Sequence, residues 1–134
     1  MTPFPPERVL TQLDHARLRT LSRKQPAFAL PLADLLDEAA LVPARDIAPD
    51  VVTMYSQVRV RDLQAGTDAT FVVCYPADAD PGAGFVSVLS PAGTALLGLA
   101  AGATARWTNP DGSPAAMQLL EISFQPEASG DYEL

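Results

Sequence analysis

With 134 residues, 48% of them hydrophobic and 19% charged, the chain has the length of one domain and enough apolar mass to bury a core, unlike a disordered sequence. A net charge of −7 counts against duplex nucleic acid as a main partner, because phosphate binding draws on clustered Lys and Arg. Cys74 is the only cysteine, the opening MTPFPPERVL lacks the character of a secretory signal, and no 18 apolar residues run together, so the expectation is a cytoplasmic protein without disulfides or membrane spans.

The charge is uneven. Residues 1–24 carry five cations (Arg8, Arg17, Arg19, Arg23, Lys24) against Glu7 and Asp14, whereas the remainder carries four Arg against 14 acids. Thr11-Gln-Leu-Asp14 reads as a capping box, with Thr11 accepting from first-turn amides and Asp14 reaching back, so a helix is expected to start here. Leu10, Leu13, Leu18 and Leu21 follow at near-helical spacing, and the run stops before Pro26. A second helix is expected from Pro31, which suits a first helical position, with Leu32, Leu35, Leu36 and Ala39 on one side. Two arms of about 12 residues, or roughly 18 Å each, make a short antiparallel hairpin with RKQPAFA at its tip, and helices that short need tertiary support.

After the Pro-containing connection PARDIAPDVVTM the period changes. In QVRVRD, Val58 and Val60 alternate with Gln57, Arg59 and Arg61, which predicts a half-buried strand with a basic outer face. TFVVCY reads as a more buried strand, PADADPGAG as a loop and FVSVL as a third strand. In LSPAGTALLGLAAG, Ser90 can cap, Pro91 fits the first turn and Gly98 terminates, so a short helix should close over the sheet with Ala95, Leu96 and Leu99. TARWT and AAMQLLEISF then form a hairpin about the turn Asn109-Pro110-Asp111-Gly112. The fold class is α+β: a helical hairpin over residues 1–45, then a curved antiparallel sheet with one lid helix over 46–134.

Groups able to carry catalysis are sparse. His15 is the only histidine and reads as a surface helical residue, and Cys74 lies in a strand pattern as a small packing residue. Asp78-Ala-Asp80-Pro-Gly82 opens like a calcium loop, but Leu89 stands where a bidentate Glu is required. Asp34, Asp37 and Glu38 share a helix face and read as solvated, and Trp107 reads as a core aromatic. No phosphate-binding glycine motif occurs. The expectation is no catalytic residue, no metal site and no cofactor.

FVSVLSPAGTALLGLAAG, residues 85–102, resembles the strand, Ser-Pro turn and helix of the C-terminal domain of the bacterial Gre transcript-cleavage factors. QPAFALPLAD, PDVVTMYSQVRVRDL and FQPEASGDYEL extend the resemblance to the short branch of that superfamily, the regulators of nucleoside diphosphate kinase. The resemblance implies an FKBP-like sheet domain and RNA polymerase as partner, near its secondary channel. It also implies a contact surface in Leu89–Gly98, comprising Ser90, Pro91, Ala92, Gly93 and Leu97, and a hairpin tip at Arg23, Lys24 and Gln25. In Gre factors, acidic residues at the tip help hold a metal; the tip Ser22–Phe28 here has no carboxylate, so transcript cleavage is not expected. The implied function is a non-enzymatic regulator that influences nucleoside diphosphate kinase levels, monomeric or weakly dimeric. The alternatives are a peptidyl-prolyl isomerase-like enzyme, on fold analogy alone, and a direct protein partner of the kinase.

Overall fold

Thr11 enters α1 (Gln12–Lys24) in an extended conformation, and its hydroxyl accepts the Asp14 N–H at 3.0 Å. Arg23 and Lys24 fall in the last turn, where the helix dipole favours cations. The second arm, α2, spans Leu30–Glu38 with Pro31 in its first turn. The computed structural model describes residues 8–25 and 30–132, so the Pro26–Phe28 part of the expected tip lies outside the described residues.

The base of the hairpin departs from expectation. Leu10 does not belong to the helix; it lies in β1 (Val9–Thr11), which pairs in parallel with β2 (Ala40–Val42), and Leu10 is fully buried. Parallel neighbours need a long crossover, and the two helices supply it. Asp14 does not complete the capping box by reaching back to Thr11; its Oδ2 instead accepts the Met54 N–H at 3.2 Å.

Alternation in QVRVRD produces β3 (Gln57–Asp62), with Val58 and Val60 buried and Arg59 and Arg61 exposed. It pairs antiparallel with β4 (Asp68–Cys74) and with the long β7 (Pro114–Phe124), whose register shifts twice against it. The order across the sheet is β5–β4–β3–β7–β6, where β5 is Phe85–Ser87 and β6 is Thr104–Thr108. The β4–β5 pair is parallel, so the sheet is mixed where an antiparallel one is expected. Two short 3-10 turns, Pro76–Asp78 and Pro81–Ala83, fold the intervening segment back to start β5 in that direction.

The short helix α3 (Pro91–Leu96) is capped as the sequence predicts, with the Ser90 hydroxyl accepting the Gly93 N–H at 3.1 Å. Leu97 leaves the helix and Gly98 takes φ 82°, close to the Val9 carbonyl. One apolar cluster joins the hairpin (Leu18, Leu32, Leu36), the sheet (Val58, Val60, Leu119) and the lid segment (Leu96, Leu99). Short helices are stabilised by such tertiary burial more than by their own hydrogen bonds.

Candidate partner-docking surface

Five hydrogen bonds fix α3 from both ends. Beyond the cap on Gly93, the Ser90 Oγ donates to the Ser87 carbonyl at 2.6 Å, and the Thr94 hydroxyl donates to the Val88 carbonyl at 2.5 Å. Arg8 donates from one guanidinium nitrogen to the Thr94 and Leu97 carbonyls at 3.1 and 2.8 Å. A cation at carbonyls that end a helix is favoured by the helix dipole. Sequence reading counts Arg8 only as one of the N-terminal cations; no local signal links it to residues more than 80 positions away.

The five expected contact residues divide by exposure. Pro91 is exposed, and Ser90 and Ala92 are half-buried. Gly93 and Leu97 require correction as surface residues: Gly93 is buried and Leu97 is fully buried. A Cβ at Gly93 would lie 2.0 Å from the Ser87 carbonyl oxygen, so glycine is what permits the helix to sit against that strand. Leu97 belongs to the core cluster. The reachable edge is therefore Ser90-Pro91-Ala92. At the hairpin, Arg23, Lys24 and Gln25 are all exposed.

A buried polar truss ties the hairpin to the segment that leads into β3. Asp14 is 3% exposed, and burial is the main force that pushes its pKa up to about 6; the Met54 amide opposes this and the Glu127 carboxylate adds to it. Glu127 accepts the Thr53 hydroxyl at 2.6 Å, Ser56 Oγ lies 2.9 Å from that hydroxyl, and Ser56 Oγ accepts the Thr53 N–H at 2.8 Å. Between them Tyr55 is held at φ 65°, a costly conformation for an aromatic residue. Its hydroxyl donates to Asp78 and its ring centroid is 5.8 Å from that of Tyr75. Burial pushes both phenols up to about 12.

Other candidates have structural partners. His15 places Nε2 3.0 Å from the Leu36 carbonyl and bridges the two arms; it is half-buried, more enclosed than a surface residue. Asp37 accepts from Arg19 at 2.7 Å. Trp107 is half-buried and donates to Asn109 at 3.1 Å. Cys74 is fully buried, and burial pushes its thiol pKa upward, opposite to what a nucleophile needs. The expected basic outer face needs correction too. Arg59 pairs with Glu121 at 3.0 Å, and Arg61 donates to Asp68 at 2.8 Å, a hydrogen bond that lowers the Asp68 pKa. Among the described residues, no group of three or more His, Cys, Asp or Glu side chains could hold a metal ion, and no helix is long and apolar enough to cross a membrane.

Residues 47–124, which include the truss loop, the sheet and the capped lid helix, match the family described as "Transcription elongation factor, GreA/GreB, C-term". The chain belongs to the GreA/GreB family. This family member is 39% identical over 134 aligned residues to "Regulator of nucleoside diphosphate kinase" of Escherichia coli K12, covering 96% of this chain and 98% of that protein. It is 36% identical over 93 residues to transcription elongation factor GreA of Clostridioides difficile, covering 69% of this chain but 58% of that factor. Among solved structures it is similar to a prokaryotic transcription elongation factor GreA/GreB from Nitrosomonas europaea, with a TM-score of 0.71 and 33% identity over 87% of this chain and 99% of the other.

Proposed function

We propose that this GreA/GreB-family protein is a cytoplasmic, non-enzymatic regulator that docks on RNA polymerase near the secondary channel through the Ser90-Pro91-Ala92 edge. The observation that carries this reading is the lid helix: its outer end exposes Pro91 while Ser90, Thr94 and Arg8 hold its backbone in place. A rigid, pre-ordered edge loses little conformational entropy on binding. Similarity over nearly the full length to a protein named as a regulator of nucleoside diphosphate kinase, and over a shorter span to elongation factor GreA, supports a transcriptional role. An influence on nucleoside diphosphate kinase levels would follow through transcription.

Transcript cleavage is not part of the proposal. The exposed tip residues Arg23, Lys24 and Gln25 are cationic or neutral, and the remaining tip residues in the sequence are Pro26, Ala27 and Phe28. Divalent cations of the hard kind require oxygen ligands, usually carboxylates. Isomerase activity is disfavoured because the lid side of the sheet is filled by Ala95, Leu96 and Leu99 within the core cluster, where a prolyl substrate would need an open apolar slot.

The test is binding of the protein to purified core RNA polymerase with a Gre factor as competitor. Saturable binding that the competitor displaces is expected. Pro91→Asp should weaken it about tenfold or more while leaving the thermal melt unchanged, because Pro91 is exposed. Equal affinity of the variant would remove the lid edge from the interface.

A further inference from the structure

The end of α3 away from its cap has carbonyls that the helix itself does not serve. The N–H that ordinarily bonds to the Thr94 carbonyl is that of Gly98, four residues on, and here it donates to the Val52 carbonyl at 2.8 Å. Arg8 takes its place: one guanidinium nitrogen donates both to Thr94 and to Leu97. A helix of six residues is too short to hold itself, so what grips its ends decides its pose.

Arg8 is also the head of a strap. Its carbonyl accepts the Ala40 N–H at 3.0 Å on the side of β2, and the next residue, Val9, donates its N–H to the Gly98 carbonyl at 3.1 Å on the side of the lid. The fit at Gly98 is close: a Cβ there would stand 3.2 Å from Leu10 Cδ2 and from the Val9 carbonyl oxygen, and 3.3 Å from Arg8 Cβ. Thr11, at the end of β1, caps α1. A single stretch, Arg8 to Thr11, thus starts the first arm, pairs with the strand that leaves the second arm, and grips the end of the lid helix.

We propose that Arg8 is a positioning residue for the docking edge: it latches α3 to the root of the hairpin, so that Ser90-Pro91-Ala92 meets a partner already oriented relative to both arms. The proposal rests on the docking reading given above and adds what sets the pose of that edge. Leu96 and Leu97 anchor the helix in the core through apolar contacts, which have no direction. The two carbonyl bonds to Arg8 supply the direction. An edge that samples other poses binds more weakly, in proportion to the fraction held in the competent one, so the latch contributes affinity without touching the partner.

Amide hydrogen exchange and binding to core RNA polymerase, both on the full chain carrying Arg8→Met or Arg8→Lys, test the proposal. Met keeps much of the apolar stem and removes the donors; in the Lys variant one ammonium can stand in for the single nitrogen that makes both bonds. In Arg8→Met, the amides of Leu97 and Gly98, which donate to the Gly93 and Val52 carbonyls, should exchange about tenfold faster or more, beyond any rise at Val58 and Val60 in the central strand β3. Polymerase affinity of the same variant should fall about fivefold. Arg8→Lys should bring both readings back to within about threefold of wild type. A rise at Leu97 and Gly98 no larger than that at Val58 and Val60 makes Arg8 a contributor to general stability and overturns the proposal. So does full wild-type affinity in Arg8→Met, or a Lys variant as impaired as the Met variant. Absence of binding by the wild-type chain is a different result: it removes the docking reading itself, and the positioning role with it.

Discussion

Burial, with the Glu127 carboxylate nearby, makes the Asp14 carboxylate costly to ionise despite its hydrogen bond from the Met54 amide. Its pKa of about 6 in the folded chain exceeds the ordinary 3.8 of the free side chain. Below pH 4 both states hold the proton; between pH 4 and 6 the folded state keeps a proton that the unfolded state has released. Stability from this group therefore falls as pH rises through that window, by about 3 kcal/mol in total, and stays low above it. Asp14→Asn keeps an acceptor for the Met54 N–H and removes the charge. The variant should be about 1–2 kcal/mol more stable than wild type at pH 7.5, with little difference at pH 4.5, in urea unfolding. Asp14→Ala should instead lose about 1–3 kcal/mol at pH 4.5, because the buried amide is left unpaired. None of this is legible in Thr11-Gln-Leu-Asp14, where the local pattern correctly gives the Thr11 cap but not the carboxylate's partner, which is 40 residues distant.

At the scale of elements, α3 shows how far local signals reach. Ser-Pro at its start and Gly98 at its end are enough to place it, and the structure has it at Pro91–Leu96 with Ser90 as cap. Ser90→Ala should lower stability by about 1 kcal/mol in thermal or urea unfolding. Gly93→Ala is the harsher change: the new methyl would meet backbone, not a movable side chain, so a loss of at least about 3 kcal/mol is expected. The inward side of Gly93 is not readable from the sequence, because a contact edge and a buried helix face both accommodate glycine. Strand β3 is legible for the opposite reason, since alternation reports burial directly. β1 and β2 are invisible in sequence: three residues carry no period, and their pairing spans the entire hairpin. The direction of β5 is set by the path of residues 75–84, which composition marks only as a loop.

Across the whole molecule, the hairpin and sheet share one apolar cluster, and the expected division at residues 45 and 46 does not interrupt it. Leu36→Ala should cost about 2–4 kcal/mol. Helix content by circular dichroism and Trp107 fluorescence should still report a single coincident unfolding transition, as a shared core requires. Two separated transitions would mean that the hairpin melts by itself. The same clustering explains why charge counting along the sequence misjudges the outer face: Arg59 and Arg61 are near neighbours in the chain, but Glu121 is brought to Arg59 only by β7. The β1–β2 pair has one more consequence. Because Val9–Thr11 and Ala40–Val42 lie side by side, the chain departs and returns through a single seam, and the excursion between them is modular. Turns added beyond Leu21 and before Leu32 would extend a probe outward without moving its root, so reach can be altered independently of the body that carries it.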